Sequence, residues 1–123
     1  MFRMLTLSIA ALVLAGCGEE QELPTRPFTD PGVQFSVTPS AARDCDPDTV
    51  YRGAVEWELA DRSAVRLEIR IDSMDGPLFA RSNEPKGRVE TEEWIRRGLW
   101  FLLVDRSNGR IIAAQRAGPE HCD

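Results

Sequence analysis

The chain has 123 residues with a formal net charge of −5 and 42% hydrophobic residues, enough for one small domain and too short for two. An acidic balance argues against a nucleic-acid partner, which would want basic charge to neutralise phosphates. Fourteen of the 15 basic residues are arginine, which reads as a coding bias before it reads as a function.

Taken in chain order, the first signal is an apolar run from Leu5 to Leu14 preceded by Arg3 and closed by Ala15, Gly16 and Cys17. The uncharged stretch from Met4 to Gly18 is shorter than the ~20 residues needed to span a bilayer, and Glu19-Glu20 follows it where a stop-transfer signal would carry basic residues. Leu14-Ala15-Gly16-Cys17 resembles the lipobox of bacterial lipoproteins. The resemblance implies a signal peptide over 1–16, removed so that Cys17 becomes the acylated N-terminus, carrying palmitate or similar chains that hold the protein on a membrane. Gly18 stands where inner-membrane retention signals resemble aspartate, which implies the outer membrane, facing the periplasm.

Residues 17–32 are expected to be a flexible tether. Pro24, Pro27 and Pro31 lie among acidic and polar residues with little to bury. Fully extended, the stretch from Gly18 to Pro31 reaches at most roughly 45–50 Å.

From 33 to 123 the hydrophobic period is two. Val33, Phe35 and Val37 alternate with polar residues up to Pro39. Val55, Trp57 and Leu59 face opposite to Glu56 and Glu58, which makes Trp57 a core residue. Val65–Asp72 alternates strictly. Asp75-Gly76-Pro77 predicts a turn, Leu78–Arg81 a short strand, Asn83–Gly87 a loop and Arg88–Ile95 a further extended segment. Leu99–Asp105 is a strongly apolar strand, Asn108-Gly109 predicts a type I′ turn, and Arg110–Arg116 is its partner strand. Seven strands with turns every eight to twelve residues and no convincing helix predict an all-β antiparallel sandwich, with a small open barrel as the alternative.

Two cysteines remain once Cys17 is acylated. Cys45 and Cys122, 77 positions apart, are expected to form a disulfide in an oxidising compartment. A metal site is less well supported, since the only histidine, His121, stands beside one of the two and the cysteines are far apart.

The segment around Trp57, the alternating strand Val65–Ile71, Gly76-Pro77-Leu78-Phe79-Ala80, Thr91 with Trp94, and Phe101–Asp105 together resemble the immunoglobulin-like or fibronectin type III-like modules of bacterial envelope proteins. The resemblance covers residues 33 to 117. It implies an immunoglobulin-like sandwich of about seven strands, with Phe101 and Leu103 facing inward. Two features depart from it. Glu92-Glu93 stands where a glycine is expected before Trp94, and the Cys45–Cys122 bridge would tie the ends of the fold rather than strands B and F.

No catalytic set stands out. Asp44, Asp46 and Asp48 begin like a calcium loop, but Thr49 and Val55 occupy the positions that need glycine and glutamate. His121 is near the end of the sequence, and the carboxylate pairs Glu56 with Glu58 and Glu92 with Glu93 read as solvated. No enzyme activity, metal or cofactor is expected. What remains is a candidate contact surface. With Phe101 and Leu103 inward, Trp100, Leu102 and Val104 share the outer face with Arg66, Glu68 and Arg70, and Trp94 lies near the start of that strand as contact or edge plug. The alternative is that arginine stems cover Trp100. The function expected is a lipid-anchored, non-catalytic binding or scaffolding module for an envelope protein or glycan. The alternatives are an accessory subunit of an envelope assembly that accepts a partner strand at a sheet edge, and a small carbohydrate-processing enzyme.

Overall fold

Alternation of apolar and polar residues gives each strand one face to bury, and two sheets with such faces can bury them only against each other. The computed structural model describes residues 23–38, 45–46, 48–62 and 65–118. They form eight strands: β1 Phe28–Thr29, β2 Val33–Thr38, β3 Ala54–Leu59, β4 Leu67–Ile71, β5 Leu78–Ser82, β6 Lys86–Glu90, β7 Trp100–Asp105 and β8 Arg110–Arg116. No helix occurs among the described residues. All pairings are antiparallel, in a five-stranded sheet ordered β1-β8-β7-β4-β5 and a three-stranded sheet ordered β2-β3-β6. The molecule is an all-β sandwich, as the period of two predicts.

Between the sheets lie Phe35 and Trp57 from one side and Ile69, Ile71, Phe101 and Leu103 from the other. Each fully buried side chain of this kind stabilises the fold by roughly 1.5–3 kcal/mol. Trp57 is core, as its alternation predicts, and its indole N–H donates to the Glu84 carbonyl at 3.0 Å. One side of the sandwich is closed by Gln115 of β8, whose amide donates to the Phe35 carbonyl of β2 at 3.0 Å.

Four local expectations are corrected. The stretch 17–32 is not all tether: Phe28 and Thr29 pair with Ala114 and Ala113, which makes β1 the edge of the five-stranded sheet and raises the strand count to eight. Asp30 then turns the chain towards β2, with Val33 N–H donating to its carbonyl at 3.0 Å. Asn83–Gly87 is not all loop, because Lys86 and Gly87 pair with Glu58 and Trp57 of β3. The strand read over Arg88–Ile95 ends at Glu90, and Ile95 makes an isolated bridge to Tyr51. The β7–β8 connection is not a two-residue type I′ turn. That turn needs a positive φ at Asn108, and the left-handed residue is Gly109, with φ of 72°. Asp105 and Arg110 close a four-residue loop instead. The Asp105 carboxylate accepts the Ser107 N–H at 2.9 Å and the Ser107 hydroxyl at 2.6 Å, and the Gly109 N–H donates to the Asp105 carbonyl at 2.8 Å.

Candidate functional site

Leu102 and Val104 lie on the face opposite Phe101 and Leu103, as expected, but that face is covered. Both are 1% exposed and pack with Ile111 and Ala114, against which Phe28, Met74 and Trp100 are placed. A contact surface built on Leu102 and Val104 is therefore corrected: they form a second, smaller core under a cap from β1 and the turn after β4. Trp100 is half-buried, and the Arg116 guanidinium carbon sits 5.9 Å from its ring centre, a cation–π contact. Trp94 does not join this face. It stacks on Phe101 at 6.0 Å and meets Phe79 edge-on at 5.5 Å, closing the interior between the sheets. Arg66 is exposed, whereas Arg70 is half-buried, holding Glu68 at 3.3 Å and the Gly76 carbonyl at 3.0 Å.

The other outer face is open. On the three-stranded sheet, strand register sets Gln34, Glu58 and Lys86 in one cross-strand row and Ser36, Glu56 and Arg88 in the next. Arg88 binds Glu56 at 2.9 Å and Glu90 at 3.5 Å. These two rows line a groove of about 720 Å³, and a further hollow of about 350 Å³ adjoins it at Gln34 and Glu58. Strands hold the donors and acceptors of both signs in fixed relation. Such a surface suits a polar ligand, such as sugar hydroxyls or peptide amides, more than an apolar one. The sequence places Glu56 and Glu58 on a wet face. The basic partners Lys86 and Arg88 emerge only from the pairing of β3 with β6, and no local pattern announces that pairing.

Asp46 Oδ1 accepts the Asp48 N–H at 2.9 Å in a local turn, and Asp44 and His121 lie outside the described residues. No group of three or more His, Cys, Asp or Glu able to hold a metal occurs among the described residues. Glu92 pairs with Arg52 at 3.5 Å, both well exposed, and Glu93 is exposed. Cys45 is disulfide-bonded. Cys122, its expected partner, and Cys17 lie outside the described residues. Compared with known proteins, the chain matches no protein-family model, no curated protein and no solved structure.

Proposed function

We propose that this chain is a lipid-anchored protein of the bacterial envelope, held at the outer membrane by acylated Cys17 and facing the periplasm. Its sandwich serves as a non-catalytic module that binds or scaffolds an envelope protein or glycan. The observation that carries the binding part is the groove of about 720 Å³ across the outer face of the three-stranded sheet, where six polar side chains stand on rigid strands. The Leu14-Ala15-Gly16-Cys17 motif carries the location. The strand order β2-β3-β6 against β8-β7-β4-β5 supports reading the domain as immunoglobulin-like or fibronectin type III-like. The 2.9 Å pairing of Glu56 with Arg88 favours a binding role for the groove over acid–base chemistry.

One observation favours the accessory-subunit reading. β5 and β6 each end a sheet, opposite β1 and β2, and Pro77, Lys86, Arg88 and Glu90 at these edges blunt chance pairing without forbidding a specific partner strand.

Two experiments test the proposal. Cys17→Ser should move the protein out of the lipid-anchored pool, read as loss of acyl labelling and of membrane retention. Unchanged retention overturns the anchor. A photo-crosslinking residue at Ser36, in the groove, should give a discrete adduct in intact cells, while one at Arg110, in the β7–β8 loop, should not. Adducts from Arg110 or from β6 edge positions, with none from Ser36, would overturn the groove as the binding face.

A further inference from the structure

The two outer faces of the sandwich differ in charge. On the five-stranded sheet Glu68, largely buried, is approached by three guanidinium groups: Arg70 at 3.3 Å, Arg81 at 3.5 Å and Arg106 at 3.9 Å. One carboxylate neutralises one of them. Alternation puts Arg66 on the same face, next to Arg106, whose N–H donates to the Arg66 carbonyl at 2.7 Å. Arg66 has no ion pair with a described residue. Asp72, at the far end of the sheet, directs its carboxylate to the Trp100 N–H at 3.0 Å. Leu78, the cross-strand neighbour of Arg70, is 41% exposed, and half-buried Trp100 completes the surface. The opposite sheet carries Glu56, Glu58 and Glu90 against Lys86 and Arg88, so its sign is reversed.

We propose that the arginine face of the five-stranded sheet lies against an anionic lipid surface, the membrane to which Cys17 would attach the chain. The inference rests on the lipid-anchored reading and adds an orientation to it. Surplus positive charge sits on one face of a chain whose net charge is −5, so a negatively charged plane attracts that face and repels the other. Guanidinium groups suit phosphate headgroups because their planar forks match phosphate oxygens. An exposed leucine and a tryptophan edge among arginines suit an interface that is wet on one side and apolar on the other. The tether favours the same arrangement. β1 is the edge of this sheet, and Phe28 is 11 positions from Cys17, a reach of at most roughly 35–40 Å. Binding to the membrane is then intramolecular, and weak contacts suffice to set the orientation. The groove on the three-stranded sheet is left pointing away from the lipid.

The test uses the processed protein purified from bacterial membranes. It is reconstituted on vesicles of phosphatidylcholine alone, or of phosphatidylcholine and phosphatidylglycerol in about equal amounts, each with brominated chains. Brominated chains quench tryptophans close to the bilayer. Trp57 is in the core and half-buried Trp94 is stacked on Phe101, off the arginine face, so Trp100 is the reporter, and Trp100→Phe should abolish the signal. The expected result is flotation on both vesicles, with quenching on the phosphatidylglycerol vesicles alone. That quenching should be lost at about 0.5 M salt and in the Arg66→Gln, Arg81→Gln, Arg106→Gln triple variant, which still floats. The salt series tests the same charge without any substitution, should the variant fold poorly. Equal quenching on both vesicles, or quenching that survives both salt and substitution, overturns the proposal. Failure to float on phosphatidylcholine overturns the anchor instead. In that case flotation on phosphatidylglycerol vesicles that is lost in salt still supports the arginine face, and flotation on neither overturns both.

Discussion

Trp57 covers Gly87, its cross-strand partner between β3 and β6. A β-carbon on Gly87 would stand 2.2 Å from the indole Cζ2 and 2.7 Å from Cε2. Glycine in a strand lacks a side chain to pack and loses more freedom on folding, and here the ring covers the backbone that glycine leaves bare. Because the ring is anchored at the Glu84 carbonyl, it cannot move aside without giving up a hydrogen bond.

This contact sets the first prediction. Gly87→Ala should cost about 1–3 kcal/mol through overpacking, and Trp57→Ala about 3–5 kcal/mol through the cavity it opens. In the Trp57→Ala background the added methyl group has room, so the Gly87→Ala cost should fall close to zero. Denaturant unfolding of the four proteins of this cycle measures the coupling, and additive costs would show that ring and glycine do not meet.

The inward facing of Trp57 was legible because Val55 and Leu59 flank it at a spacing of two and Glu56 and Glu58 lie between. Gly87 was not, because Asn83, Pro85 and Gly87 carry loop composition and the pairing that makes a strand of 86–90 comes from β3, far away in sequence. The same logic hid β1. A strand of two residues, Phe28 and Thr29, is too short to show a period, so Phe28 reads as tether. The sequence also showed that both faces of β7 are apolar, and the resemblance implied that Phe101 and Leu103 face inward. It did not show the cover over Leu102 and Val104, because Phe28 and Met74 come from segments with no alternation. At the groove, Glu56 and Glu58 were readable as a wet face, whereas the rows they form with Gln34, Ser36, Lys86 and Arg88 depend on register.

The covered face predicts a fold-stability role for residues that would otherwise read as contacts. Leu102→Ala should cost about 2–4 kcal/mol, a large fraction of the stability of a small domain. The double replacement Trp100→Ser with Leu102→Thr should unfold the protein rather than silence a binding surface. Phe28→Ala should lower the melting temperature as well, because it opens the cap and strips β1 from the sheet edge. Thermal melts check all three, and wild-type melting of the Phe28 variant would show that β1 contributes nothing to the cover.

The bridge predicted for Cys45 is testable by thiol labelling. In the unfolded, non-reduced protein neither Cys45 nor Cys122 should react, and after reduction both should. A loop of 77 positions closed in the unfolded chain gives an expected loss of about 2–4 kcal/mol when Cys122 is replaced by serine. Labelling of Cys122 before reduction would assign Cys45 another partner.

The last prediction concerns Tyr51, the one tyrosine of the chain. Its backbone bridges Ile95 through two hydrogen bonds of 2.9 and 3.1 Å, while its hydroxyl is buried with no hydrogen-bond partner among the described residues. Burial penalises the phenolate and pushes the phenol above its ordinary pKa. In the unfolded chain tyrosine ionises near pH ~10. Above that pH the unfolded state holds fewer protons than the folded one, so stability falls as pH rises, and the neutral phenol contributes in full below it. Tyr51→Phe removes both the desolvated hydroxyl and this slope. The variant should match or exceed the wild type at neutral pH, by up to about 1–2 kcal/mol, and its advantage should widen as pH climbs past ~10. Tyrosinate absorbance reports Tyr51 alone and should show it titrating at higher pH in the folded protein than in the unfolded chain. A Tyr51→Phe variant less stable than wild type at neutral pH would mean that the hydroxyl makes a hydrogen bond in the folded protein that outweighs its desolvation.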